Sequence, residues 1–271
     1  MQRPENFRID YTHPLARGLV YANFGRINSS NYYMDESLYK NHGVGTNLEP
    51  VTDWKFDSTI NRFGIELDGD NEYIELGTIN VGNKLMLNEG IVCICAWVNQ
   101  HSGGDQFQRI IDKSDNGSAL NGYSCWMDAP NRQYGLSVNN NNWRTTDTNV
   151  YDYSTWTHTI GIFSSTNIDC YINSNNVPGS FYVGSIAPIP NTATNARIGT
   201  WNHSDAREFD GMIADIMIYN RLLDNIEIKI LSDIDNVMYS GLLKYPKRKY
   251  YVVPAIVPSR RFKVGKLLVR G

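Results

Sequence analysis

The residues best placed to do chemistry are three carboxylates in Glu66-Leu-Asp68-Gly-Asp70. Carboxylates on alternate residues of one strand share a face, and a pair flanking a glycosidic bond can cleave it. The spacings that do this are Glu-x-Asp-x-Glu and Glu-x-Asp-x-x-Glu. Here the third position is Asp70 in the short form and Asn71 in the long form, so neither is complete. Gly69 and Asn71 also make the stretch a turn rather than a catalytic strand. The chain has no G-x-S-x-G nucleophile elbow, no H-E-x-x-H and no phosphate-cradling glycine loop. Its five histidines are scattered. His158, alternating with Trp156 and Ile160, is expected to be half-buried in a strand, and His42 to be a structural loop residue. The expectation is a protein that is not an enzyme.

Two other sets could hold a ligand. Trp143 follows the run Asn139 to Asn142, and Trp201-Asn202 closes an expected strand. Flat aromatic faces beside amides suit sugar rings, so Trp143, Asn142, Trp201 and Asn202 are candidate carbohydrate-binding residues. Packing of Trp201 at the core rim and a lone surface Trp143 are the alternatives. Asp215 lies in Ile213-Ala-Asp-Ile-Met-Ile-Tyr219, where alternation gives it the face of Ile213, Met217 and Tyr219. A carboxylate on an apolar face requires a partner. That partner is a hydrogen-bond network, a metal, or an arginine such as Arg221. Four cysteines lack any C-x-x-C spacing and are expected to be buried free thiols.

The elements that would position these residues are strands. Ile91 to Val98 is an apolar run of strand length, expected to be central and buried on both faces. Gly18 to Phe24, Phe63 to Leu67, Tyr73 to Leu76, Arg109 to Asp112, Tyr123 to Met127, Tyr134 to Val138, Trp156 to Phe163 and Ile168 to Ile172 read as further strands, separated by turn residues. Asn139 to Asn142 reads as a surface loop. One short helix is predicted after Asp224, with Glu227 completing a capping box and Ile226, Ile230 and Ile234 as its apolar stripe.

Seven short blocks in fixed order carry a resemblance. They are His13 to Val20 (HPLARGLV), Asp35 to Gly43 (DESLYKNHG), Leu67 to Leu76 (LDGDNEYIEL), Ile94 to Val98, Trp156 to His158, Ala196 to Gly199, and Asp210 to Leu223. Together they resemble the laminin-G-like, concanavalin A-like jelly-roll family over about residues 13–235. In that family a helix also follows the Tyr219-Asn-Arg-Leu-Leu223 block, and the Leu67-Asp-Gly block is its own, which further weakens a catalytic role for Glu66. The resemblance implies an all-β, two-sheet antiparallel jelly-roll sandwich with one short helix. It also implies a structural calcium between Asp35 and Asp215, a hard cation suited to carboxylate oxygens. The usual acidic pair is reduced here to Ala214-Asp215. The fold hosts lectins, glycosidases and structural modules alike, so it does not by itself assign a function.

Charge divides the chain. Residues 241–271 hold nine Lys/Arg and no Asp/Glu, leaving 16 basic against 28 acidic residues in 1–240. The expected organisation is an extended arm over 1–12, the jelly roll over 13–240, and a basic, apolar tail over 241–271. Lys247, Arg248, Lys249, Tyr250, Tyr251, Arg260 and Arg261 are expected to anchor it to a partner. That partner is another virion protein or a second copy of the chain, because modules with this arm and a basic, Pro-containing end look like those encoded in bacteriophage genomes. The expected role is a virion component (a capsid decoration, fibre or tail-associated protein), made in the host cytoplasm. A module for cell-surface glycans is the alternative, with a glycoside hydrolase or depolymerase behind it. Nucleic acid is not expected as a partner, since the acidic body would oppose a duplex. The polar start lacks a signal-peptide core, and no 18-residue apolar run exists.

Overall fold

A computed structural model describes residues 7–26, 31–49, 51–76, 90–101, 106–114, 122–138, 142–164, 167–183, 195–202 and 207–244. In chain order the strands are β1 (Arg8–Ile9), β2 (Leu19–Asn23), β3 (Tyr32–Tyr33), β4 (Gly43–Thr46), β5 (Trp54–Asp57), β6 (Arg62–Asp68), β7 (Tyr73–Glu75) and β8 (Val92–Gln100). They continue with β9 (Gln108–Ser114), β10 (Gly122–Asp128), β11 (Gln133–Val138), β12 (Asn142–Thr146), β13 (Thr157–Ser164) and β14 (Asn167–Ile172). The last are β15 (Asn175–Asn176), β16 (Gly179–Val183), β17 (Arg197–Ile198), β18 (Asp210–Tyr219) and β19 (Leu243–Lys244), with helix α1 at Asn225–Ser232.

The strands form a jelly-roll sandwich of two large antiparallel sheets. One is ordered β16-β12-β11-β10-β9-β17-β7-β4-β3 and the other β15-β14-β13-β8-β18-β6-β5, with β2 also paired to β18. Between them lies the main core. Val92, Ile94, Ala96 and Val98 from β8 meet Tyr123, Cys125 and Met127 from β10 and Tyr134, Leu136 and Val138 from β11. The other face of β8 is also covered. Cys93 and Cys95 sit in a second core with Phe7, Ile9, Phe24, Ile228, Leu231, Tyr239, Leu242 and Leu243. β8 is thus central and buried on both faces, as its continuous apolar run predicts. All four cysteines are buried and free.

That second core revises the expected boundaries of arm and tail. β1 and β19 pair as a two-stranded sheet, Ile9 opposite Leu243. Residues 7–9 and 242–243 therefore belong to the body, and the Leu242-Leu243 patch is satisfied within the chain. A long face of the sheet containing β8 would otherwise be left in water, and residues 7–9, 238–243 and α1 close over it. The anchor residues Lys247, Arg248, Lys249, Tyr250, Tyr251, Arg260 and Arg261 lie outside the described residues.

Helix α1 begins at the predicted cap. The Asp224 carboxylate accepts from the Ile226 and Glu227 backbone amides, and the Glu227 side chain accepts from the Asp224 amide. The expected apolar stripe holds in part, since Ile230 packs partly buried against the second core and Ile234 against Trp97 and Trp156. Ile226 is exposed, and Ile228 and Leu231 face the core. The helix ends at Ser232, so it docks through one short i, i+3 edge. Among the described residues no helix is long and apolar enough to cross a membrane.

Candidate functional site

The face of the β9–β12 sheet turned away from the core carries a pocket of about 300 Å3, lined by Phe107, Arg109, Trp126, Ser137, Trp143, Thr145 and Arg207. Register explains the set. Across β11 and β12, Ser137 stands opposite Trp143 and Gly135 opposite Thr145. Across β10 and β11, Trp126 stands opposite Gly135. A bulge at Cys125/Trp126 then sets Trp126 opposite Arg109 on β9. Side chains alternate across a sheet, so these residues share the outer face while Tyr134, Leu136 and Val138 face inward.

Gly135 makes room for Trp126. A Cβ there would sit 2.2 Å from the Trp126 ring, so only glycine lets the indole lie across β11. Phe107 meets that indole edge to face, with centroids 4.9 Å apart and planes at 86°. Arg109 is buried by this group. Its Nη1 donates to the Phe107 carbonyl at 2.9 Å, and its Nε lies 3.1 Å from the Asp112 carboxylate. Burial lowers its pKa to about 10, with Asp112 opposing that shift. The Arg207 backbone is tied to β9 by the Arg109 amide, which donates to its carbonyl at 2.9 Å. Its guanidinium carbon lies 4.3 Å from the centre of the Trp201 ring and 5.6 Å from that of Phe107.

Of the expected sugar-binding residues, Trp143 lines the pocket and Trp201 backs it through Arg207. Asn142 does not join them. It precedes Trp143 on one strand, so it points to the opposite face and is buried. Asn202 is engaged elsewhere, its amide donating to the Ser114 carbonyl at 2.9 Å. Phe107, Trp126, Arg109 and Arg207 were not legible as a site. Only the period-two pattern of Trp143 and Thr145 hinted at one, and the Asn run before it reads as loop.

Asp35 and Asp215 are both fully buried but held by different partners. Asp35 accepts from the amides of Ala22, Ser37 and Asn41 at 3.0, 2.8 and 2.7 Å, and from the Ser37 hydroxyl at 2.8 Å. Asp215 accepts from Arg62 Nε at 3.0 Å and from the Tyr239 hydroxyl. Its arginine partner is thus Arg62 rather than Arg221, which instead grips Glu227. These donors present hydrogens, the wrong polarity for a cation, so neither donor set fits a calcium ion as it stands. Among the described residues no three His, Cys, Asp or Glu side chains group to hold a metal.

Asp215 also breaks the expected alternation. It sits at a bulge in β18, with φ of 50° and a register shift between Ala214 and Met217. The bulge switches faces. Ile213, Ile216 and Ile218 all enter the main core, while Met217 and Tyr219 enter the second. In the Glu66–Asp70 stretch, β6 ends at Asp68 and Asp70 lies in the turn. Glu66 pairs with Lys55. His158 is fully buried rather than half-buried, its Nδ1 bonded to Ser232 at 2.7 Å. His42 is structural as expected, its Nδ1 accepting from the Asp35 amide at 3.0 Å.

Several solved structures share the fold. A Trypanosoma rangeli sialidase in complex with 2,3-difluorosialic acid aligns with a TM-score of 0.58 at 14% identity, over 83% of this chain and 33% of that one. Botulinum neurotoxin type C, from a study describing cell entry through two ganglioside molecules, aligns at 0.56 and 16% identity, over 85% and 52%. The binding domain of botulinum neurotoxin DC, in complex with rat synaptotagmin II, aligns at 0.53 and 17% identity, over 84% and 52%. The chain thus spans a third to a half of these proteins. No curated protein matches it. The family model described as the concanavalin A-like lectin/glucanases superfamily matches residues 68–229, more than half of the sequence. By that match and by its two-sheet jelly roll, the chain belongs to the concanavalin A-like lectin/glucanase superfamily.

Proposed function

We propose that this chain is a non-enzymatic carbohydrate-binding module whose sugar site is the pocket over β9–β12. The observation that carries it is the lining itself: two tryptophans, a phenylalanine, two hydroxyls and two arginines on an open sheet face. Aromatic walls with a few convergent polar groups suit a sugar ring. Among the described residues no carboxylate lines the pocket, whereas most glycoside hydrolysis needs two. The gangliosides named for the botulinum neurotoxin type C study are consistent with glycan recognition by proteins that contain this fold. A glycan array with the wild type and Trp143→Ala tests the proposal. Binding by the wild type that drops at least about tenfold in the variant is expected. Equal binding by both would move the site elsewhere.

A second reading concerns where the module is displayed. The acidic body and a tail of nine basic and no acidic residues favour an anchored virion component. Mass spectrometry of purified particles tests it, and consistent absence from them would count against it.

A further inference from the structure

We infer that the pocket over β9–β12 selects an acidic saccharide, with Arg207 meeting the ligand's carboxylate or sulfate. The inference rests on the sugar-binding proposal and goes further in naming the ligand's charge. It comes from the unequal state of the two arginines. Arg109 is neutralised in place by Asp112 at 3.1 Å, and one of its nitrogens is spent on the Phe107 carbonyl. Arg207 has no carboxylate within ion-pair distance among the described residues; its neighbours are the rings of Trp201 and Phe107. A guanidinium held over aromatic rings has no acceptor there for its planar fork of N–H donors, and that fork matches a carboxylate or a sulfate. Among the described residues the pocket therefore carries one positive charge without a carboxylate partner, against aromatic walls, in a chain whose net charge is −3. Such a site favours a ring that offers an apolar face to Trp126 and Trp143 and an anion to Arg207. Ser137 and Thr145 supply hydroxyls for the ring's own hydroxyl groups. A neutral sugar would leave the Arg207 charge unanswered.

The test uses the full chain on an array pairing neutral glycans with their sialylated, uronate-containing and sulfated counterparts, followed by titration of the best pair. Arg207 is only partly buried, so Arg207→Gln should keep the fold, and its melting curve checks this. The expected result is preference for the acidic member. In Arg207→Gln binding of the acidic member should fall about tenfold more than binding of the neutral member, so that the preference is lost. Binding of the acidic member should also weaken as salt is raised. Carboxylated and sulfated hits both support the inference, and their ratio identifies the anion. Equal binding of neutral and acidic members, unaltered in Arg207→Gln, overturns the inference and leaves the sugar-binding proposal standing. Binding to no glycan of either kind overturns both.

Discussion

Arg62 and Asp215 form a fully buried ion pair that ties three parts of the chain together. The Arg62 guanidinium bonds Asp215 in β18 and donates to the carbonyls of Ile60, Ile234 and Asp233. Trp97 and Tyr239 cover it, with ring centres 5.0 and 5.7 Å from its central carbon. Asp233 and Ile234 follow α1, so the arginine cation also meets carbonyls at the helix's C-terminal end. Asp215→Asn removes the countercharge and strands a buried guanidinium. Breaking such a pair costs about 3–5 kcal/mol. Denaturant unfolding of the variant should show a loss of that size, and a loss below about 1 kcal/mol would mean the pair is not a structural node. Beside it, His158 is packed against Trp97 at 5.0 Å between ring centres. Burial, with the Arg62 charge adding to it, pushes its pKa down from 6.5 to about 3. The folded state therefore holds His158 neutral where the unfolded chain would protonate it. Stability from this residue is whole above pH 6.5 and is lost as pH falls from 6.5 toward 3, at up to about 1.4 kcal/mol per pH unit. His158→Gln should flatten that part of the stability profile, and an unchanged slope would assign it to other groups.

At the scale of elements, what the sequence makes legible depends on how far apart the cooperating residues lie. The β8 run announces a doubly buried strand because its apolar residues are contiguous. The Asp224–Glu227 cap is equally local. The face reversal in β18 is not readable from alternation, because it depends on a bulge at Asp215 held by Arg62, 153 residues away in sequence. The same limit applies to the site. Trp143 was visible as an aromatic beside an Asn run, but Trp126 reaches it only across the β10–β11–β12 register, over a glycine that spares it a clash. Arg207 arrives from a loop tied to β9, and nothing near it in sequence marks a pocket. Asn142 was misplaced for the opposite reason. Its proximity to Trp143 is sequential, and adjacent residues in a strand face opposite ways.

For the whole molecule, the two sheet faces turned away from the main core have different fates. The outer face of the β8 sheet is closed by residues 7–9, 238–243 and α1, so it is committed to stability. Among the described residues the outer face of the β9–β12 sheet stays open as a pocket. How far the body extends toward each terminus follows from the β1–β19 pairing. Leu242 and Leu243 are buried, and Lys244 pairs with Asp10. Residues 241–244 therefore belong to the fold, while 245–271 carry eight Lys/Arg, no Asp/Glu and the apolar run Tyr250 to Val253. Two truncations separate these roles. Removing 245–271 should leave the melting temperature and pocket binding near those of the full chain, while abolishing self-association or capture of an acidic protein partner. Removing 241–271 should in addition uncover Phe7, Ile9 and Tyr239 and take away two buried leucines, at about 2–3 kcal/mol for each side chain lost from the core. Melting curves and light scattering on the two variants provide the measurement. If both melt alike, the β1–β19 closure contributes nothing to the fold. If the shorter deletion still associates as the full chain does, the anchor lies elsewhere on the molecule.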